Sequence, residues 1–296
     1  MSTSIDQAFI RAYEADVHHV FQRQGSYLKP TVRYKDGVVG YSTTFQKVGK
    51  GVATTKSRHG QITPMNQTHT AIECTLSDFY AGDWVDKLDE AKINIDERMV
   101  IATGGANALG RKVDDQIVTK LDTTTQTAIT WTLTSANTIE NALLDMLEAL
   151  HANDVPNDGQ IYGLLTSKAW AAAMKVESFS SADYVGPMGQ TFTQGFFIGP
   201  RFKSWMGAMW QMHTGLPGHG TATAKCFVYH KTAIGYAAAA SAMNVAGNGP
   251  VSADITWHGD RAAHFVNNMM SGGSELIDDT GIIEGAIDDT ASLPAS

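Results

Sequence analysis

The stretch TVRYKDGVVGYSTTFQKVGKGVATTKSRHGQITPMNQTHTAIECTL, residues 31–76, constrains the fold more than any other. Thr, Val, Tyr, Gln and Gly dominate it, large aliphatic residues are few, and Asp36-Gly37 marks a tight turn. Such a segment reads as extended strands that bury too little apolar surface to form a core of their own. The simplest shape is a long two-stranded loop projecting from a body, and such a loop needs a surface to lie on. Its charge is one-sided: between Lys29 and His69 there are seven basic residues (Lys29, Arg33, Lys35, Lys47, Lys50, Lys56, Arg58) against one acid, Asp36. Between Asp78 and Glu97 there are seven acids against two lysines, and between Glu275 and Asp289 six acids and no base. Basic and acidic segments on one chain point to complementary surfaces, within a molecule or between copies of it.

The body has enough chain for a real core: 296 residues, 43% hydrophobic and 18% charged, as in a folded domain or two. No apolar run of membrane-spanning length occurs. The start, MSTSIDQAFIRAYEADVHHVF, carries acids where a secretion signal needs a basic, then apolar, block, which implies a protein made in a cytoplasm. A net charge of −8 argues against a dedicated nucleic-acid binder. Cys74 and Cys226, with no C-x-x-C pair, are expected to be buried free thiols.

The run TGGANALGRKVDDQIVTKLD (103–122) contains a G-x-x-x-x-G spacing followed by a lysine, Lys112. A phosphate-binding loop also needs a preceding buried strand and a Gly-Lys-Ser/Thr ending, whereas here Arg111 follows Gly110 and Val113 stands where the hydroxyl belongs. Ile95, Met99, Ala102, Ala106, Leu109, Val113, Ile117 and Leu121 recur every three or four residues, which is one stripe of an amphipathic helix. The spacing predicts a helix over about 88–122, roughly 50 Å long. Its Gly104-Gly105 pair marks a bend or a close backbone approach.

A second helix is predicted from Asn137, its cap, to about Ala152, with Ile139, Leu143, Met146, Leu147 and Leu150 on one face. IYGLLT reads as a buried strand, Ser167 opens a short helix, and 178–200 is a Gly-rich surface loop. KSWMGAMWQMHT reads as a strand and KCFVYHKTAIGYAAAA as a further apolar segment. The last part reads as two long strands about a turn at Gly259-Asp260, then a short one. Residues 5–24 are weakly helical in pattern.

Chemistry-bearing residues are sparse. His258, Asp260 and His264 invite a metal reading, but a hairpin puts the two histidines on opposite arms. His213 and His219 bracket TGLPG, a turn that holds them apart. Trp205, Trp210, Trp257 and Phe265 lie in apolar strand contexts and are expected in the core. No catalytic residue, cofactor site or metal site is expected.

The order of parts, together with the phrases NIDERMVIATGGANALGRKVDDQIVTKLD, ALHANDVPNDGQIYGLLTSKAWAAAMKVESFSSADYVG, WMGAMWQMHTGLPG and ITWHGDRAAHFVNNMMSGGSELIDDTGI, resembles the major capsid proteins of tailed bacteriophages. The resemblance implies an α+β chain of the Hong Kong 97-type fold. Residues 1–28 would be an N-terminal arm and 29–72 an extended E-loop. A P-domain at 73–132 would carry the spine helix (about 88–122), with an A-domain at 133–245. P-domain closing strands and an acidic C-terminal tail would occupy 246–296. It further implies hexamers and pentamers in an icosahedral shell around double-stranded DNA, held without sequence-specific contact. A portal protein is an implied partner, and so is a separate scaffolding protein, because no long charged coiled-coil stretch is seen before the arm. Assembly would take place in a host bacterial cytoplasm. Lys47, Lys50, Lys56 and Arg58 of one copy are candidates to lie on Asp83, Asp86, Asp89 and Glu90 of a neighbour. Some relatives crosslink a loop lysine to an asparagine, but the resemblance gives Lys47 and Lys50 no partner here. The rival readings are an encapsulin-like nanocompartment shell and a metal- or nucleotide-dependent enzyme.

Overall fold

The computed structural model describes residues 25–90, 97–132, 136–180, 192–193, 196–197, 202–239 and 251–293. The readings made for 5–24, for Ile95 and for most of the 178–200 loop lie outside these residues. After a 3₁₀ turn at Lys29–Thr31 come β1 (Arg33–Val38), β2 (Ser42–Val48), β3 (His69–Thr75) and β4 (Ser77–Asp86). Helices α1 (Lys87–Glu90) and α2 (Glu97–Leu121) follow, then β5 (Ile129–Trp131), α3 (Ala136–Ala152), β6 (Ile161–Leu165), α4 (Ser167–Ala173) and α5 (Glu177–Ser180). The short pair β7 (Phe192–Thr193) and β8 (Phe196–Phe197) precedes β9 (Lys203–Trp205), β10 (Ala208–Met212), β11 (Ala224–His230) and β12 (Ile234–Ala239). The chain closes with β13 (Val251–His258), β14 (Ala263–Leu276) and β15 (Ile282–Ile287).

Two sheets organise the body. A six-stranded sheet runs in the order β5-β15-β11-β6-β10-β9. In the other, β14 pairs β13 and then β12 along one edge and β4 along its opposite edge, while β1 joins β12 in parallel. The central residues CFVY of the run KCFVYH are apolar because β11 is covered on both faces. Cys226 and Val228 enter the cluster beneath α3, and Phe227 and Tyr229 enter the cluster shared with α2. Ile139, Leu143, Met146, Leu147 and Leu150 all face the first cluster, as their spacing predicts. Thr166 caps α4, its hydroxyl accepting the Ala169 N–H at 3.2 Å. Both cysteines are buried and free.

Several expectations need correction. KSWMGAMWQMHT forms two strands rather than one. Met206 (φ 50°) and Gly207 (φ 80°) make a two-residue turn whose left-handed backbone matches the twist of the antiparallel pair β9–β10. The six-stranded sheet takes its β15 from the closing segment, and β12, from within 133–245, pairs with β14 in the five-stranded sheet. The acidic segment near the end is therefore built into the body rather than hanging from it as a tail. Helix α3 begins at Ala136, one residue before the expected Asn137 cap. Trp205 and Trp210 are core residues, but Trp257 is 46% exposed, because β13 is an edge strand whose outer flank no described strand covers. Phe265, beside it on β14, is only partly buried.

Helix α2 is 25 residues long, about 37 Å. Its apolar stripe is buried only in the second half, at Leu109, Val113, Ile117 and Leu121, while Met99 is exposed. The glycines belong to helix packing. A Cβ on Gly105 would fall 2.2 Å from Asn268 Nδ2 of β14, and one on Gly110 would fall 2.5 Å from the Gly25 backbone.

Beside Gly110 on α2 sits Asp114, with no exposed side-chain surface. Its carboxylate accepts the Ser26 hydroxyl at 2.6 Å, the Tyr27 N–H at 3.0 Å and the Leu28 N–H at 3.1 Å. His213, just beyond β10, approaches through Nε2 at 3.4 Å. One carboxylate thus ties the N-terminal segment, the long helix and the six-stranded unit together. Burial works to raise the Asp114 pKa, but the hydrogen bonds from His213, Ser26, Leu28 and Tyr27 outweigh it, and the carboxyl is held below its ordinary value.

This packing sets the response to substitution and to acid. Asp114→Ala strands several buried donors and should cost about 3–5 kcal/mol in chemical denaturation. Because the folded carboxyl titrates below the unfolded one, its stabilisation is complete above about pH 4 and fades as pH falls through the lowered value. Acid melting curves should therefore lose this component in wild type and lack it in Asp114→Asn. A methyl group on Gly104 would meet nothing within 4 Å, so Gly104→Ala should stabilise by about 0.5–1 kcal/mol. Gly105→Ala and Gly110→Ala should instead destabilise, and thermal melts of the three variants compare them directly.

Candidate assembly surfaces

The basic segment divides into a root and a free outer part. β2 and β3 pair in register from Ser42–Thr75 to Val48–His69. At the root, Phe45 is buried with Val38, Cys74, Leu76, Ala237 and Ile277. Gly235 makes room for it, since a Cβ there would lie 2.6 Å from the Phe45 ring. Residues 49–68 have no helix or strand and are almost wholly exposed, and Val52 and Ile62 show about three quarters of their surface to solvent. An exposed apolar residue on an unsupported segment gains burial only from another surface.

The eight candidate contact residues fall into three groups. Lys47 and Lys50 are engaged by their own chain: Lys47 pairs with Asp278 at 2.9 Å, and Lys50 pairs with Asp154 in the turn after α3. Lys56 and Arg58 are exposed and make no ion pair with another described residue. Asp83 and Asp86 are exposed on β4, where their carboxylates accept the Trp84 N–H at 2.8 Å and the Leu88 N–H at 2.7 Å. Asp89 and Glu90 lie in α1, and their side chains fall outside the described residues. Among the described residues no basic member of the set meets an acidic one within the chain.

The late acidic run turns inward. Glu275 pairs with Lys120 at 2.9 Å, and Glu284 with Lys225 at 3.1 Å. Asp279 accepts the Thr124 hydroxyl at 2.7 Å, the Thr125 N–H at 3.0 Å and the Gln126 amide at 3.1 Å, fixing the turn that leaves α2. Asp289 accepts from the Thr166 hydroxyl at 2.7 Å and from the Gly220 N–H at 3.0 Å. Burial tends to raise Asp278, yet its bonds to Lys47 and Thr280 leave it below the ordinary carboxylate range. Asp279 is lowered in the same way, burial being outweighed by the bonds from residues 124–126.

The histidine sets do not converge. His213 meets Asp114, whereas His219 Nε2 lies 2.9 Å from the Ser167 hydroxyl. His258 sits against Trp84 with ring centres 5.0 Å apart, and His264 sits against Trp257 at 4.9 Å. Strand alternation puts these two histidines on opposite faces of the sheet. No group of three metal-ligating side chains occurs among the described residues. No described helix is long and apolar enough to cross a membrane.

Sequence reasoning missed Asp114, Asp154 and Asp278 as partners. Only Asp114 left a signal, as an acid in the helix row Gly110-Asp114-Val118 that flanks the apolar stripe.

Comparison with known proteins connects these surfaces to a biological setting. No curated protein matches the chain by sequence. Among solved structures, the capsid of cyanophage P-SCSP1u superposes with a TM-score of 0.72 at 16% identity, over 98% of this chain and 96% of that one. The capsid of Ralstonia phage GP4 gives 0.68 at 10% identity, over 100% and 99%. The capsid of a native GTA particle gives 0.66 at 13%, over 98% of each chain. At such identities the likeness is one of fold, and the fold is the Hong Kong 97 type. The phage capsid protein model matches residues 5–289, so the chain belongs to the phage capsid protein family.

Proposed function

We propose that this chain is the major capsid protein of a tailed phage, assembling as hexamers and pentamers into an icosahedral shell around double-stranded DNA. The observation that carries the reading, beside the family match, is the outer segment 49–68. It is long, exposed and basic, rooted by Phe45 and without a surface of its own to cover. In this reading residues 1–28 form the N-terminal arm, 29–72 the E-loop, 73–132 a P-domain with its spine helix, and 133–245 the A-domain, with the closing strands in 246–296. The E-loop of one copy lies across a neighbour, where Lys56 and Arg58 meet Asp83 of the acidic strand β4, whose Asp86 strand alternation turns to the opposite face. Lys47 and Lys50 instead set the direction in which the loop leaves its own body. The net charge of −8 suits a container that encloses DNA without gripping it. A separate scaffolding protein, a portal protein and assembly in the host bacterial cytoplasm complete the proposal.

Native mass spectrometry of the purified chain tests it: pentamer and hexamer masses are expected, and a population of monomer alone contradicts it. The loop assignment has its own test. Lys56→Glu with Arg58→Glu should leave the melting temperature of the chain unchanged while weakening each loop contact about tenfold, the effect of losing about 1.4 kcal/mol, and so should lower shell yield. Lys47→Glu should mainly lower chain stability, by no more than about 1 kcal/mol for a part-exposed pair.

A further inference from the structure

The far end of the five-stranded sheet carries a second surface that the loop does not use. β14 is 14 residues long, about 45 Å, and its first residues, with β4's last and the 259–262 turn, form a tip remote from the six-stranded unit. Alternation divides this tip into two faces. Trp84, Phe265 and His258 share one face, with Trp84 and Phe265 ring centres 4.6 Å apart and Arg261 stacked 4.5 Å over Trp84. Trp257 and His264 share the other, with the Lys87 ammonium 5.1 Å over the Trp257 ring. Both tryptophans are well exposed, Trp84 at 37% and Trp257 at 46%. The two faces are not alike. Beside Trp84 opens a cleft of about 310 Å³ lined by Trp84, Asp86, Glu97, Arg261 and Ala263, so two carboxylates stand at an aromatic surface. The Trp257 face offers the matching chemistry: a flat apolar ring carrying a cation.

We infer that the tip is a contact between copies in which Lys87 and Trp257 of one chain seat in the Trp84–Asp86–Glu97–Arg261 cleft of the next. The inference rests on the capsid reading, which supplies the second copy as the occupant. Charge complementarity and the pairing of a projecting ring with an aromatic cleft supply the fit. Because donor and acceptor faces differ, the contact is heterologous: each tip grips one neighbour and is gripped by another, and closure depends on the angle between them. Half-exposed tryptophans held by stacked cations are the residue types that dominate interface energetics. Ala262 (φ 50°) sits in the turn that brings Arg261 back over Trp84.

The test is a charge exchange, read by electron microscopy and by the melting temperature of the unassembled chain. Lys87→Glu should cut shell yield about tenfold or more with the melting temperature unchanged. Asp86→Lys with Glu97→Lys should do the same, and a chain carrying all three changes should recover shells, since each altered face again meets its complement. Trp257→Ala should fail and Trp257→Phe should assemble. Normal shells from every single-face variant would overturn the inference, as would defects that the triple variant does not relieve. Either result leaves the capsid reading intact provided wild type assembles, whereas wild type that forms no shells counts against that reading itself.

Discussion

The Asp114 carboxylate is the point on which the arrangement of parts depends. Three donors from residues 26–28 and the His213 ring converge on it in a site closed to solvent. A buried carboxylate with so many donors is costly to disturb, since removing it leaves the donors unpaired in a low-dielectric setting. Just downstream, Leu28 and Val32 enter the core, and Thr31 meets the Tyr229 hydroxyl at 2.5 Å. Residues 25–32 are therefore fixed against the body, by α2 on one side and by the six-stranded unit on the other. Gly110 is glycine because the incoming backbone at Gly25 passes where a side chain would stand.

From this anchor the rest follows as a division between what the chain satisfies alone and what it leaves open. The late acidic run is used internally, on Lys120, Lys225, Lys47 and a set of turn hydroxyls and amides. The root of the basic extension is likewise satisfied, through Phe45 and two lysine pairs. Left open are the outer extension, the acidic strand β4 and the aromatic tip. A chain that pairs these charges within itself and leaves surfaces of complementary kinds open is suited to repetition. Each such contact is individually weak, and a shell sums many of them.

Much of this was legible in the sequence, where local periodicity decides structure. The apolar rows of α2 and α3 and the apolar run of β6 read directly as a helix stripe, a second helix and a buried strand. The polar, Gly- and Thr-rich composition of 31–72 announced an extension that could not fold alone. Less legible was anything decided by pairing over long sequence separations. Nothing local places β12 and β15 in sheets other than those of the strands that precede them, or directs Lys47 to Asp278 rather than to another copy. Trp257 looked like a core residue because its strand pattern is apolar, yet β13 lies at an edge, and edge position is a property of topology rather than of the strand. That His258 and His264 point to opposite faces depends on the register of β13 on β14, which the intervening turn residues do not reveal.

The central claim is that this chain exists to build a closed shell from copies of itself. The most direct measurement is electron microscopy of the purified recombinant protein, alone and with a scaffolding protein co-expressed. The account predicts closed shells, tubes, or free pentamer and hexamer rings. A stable monomer or dimer under both conditions would contradict it.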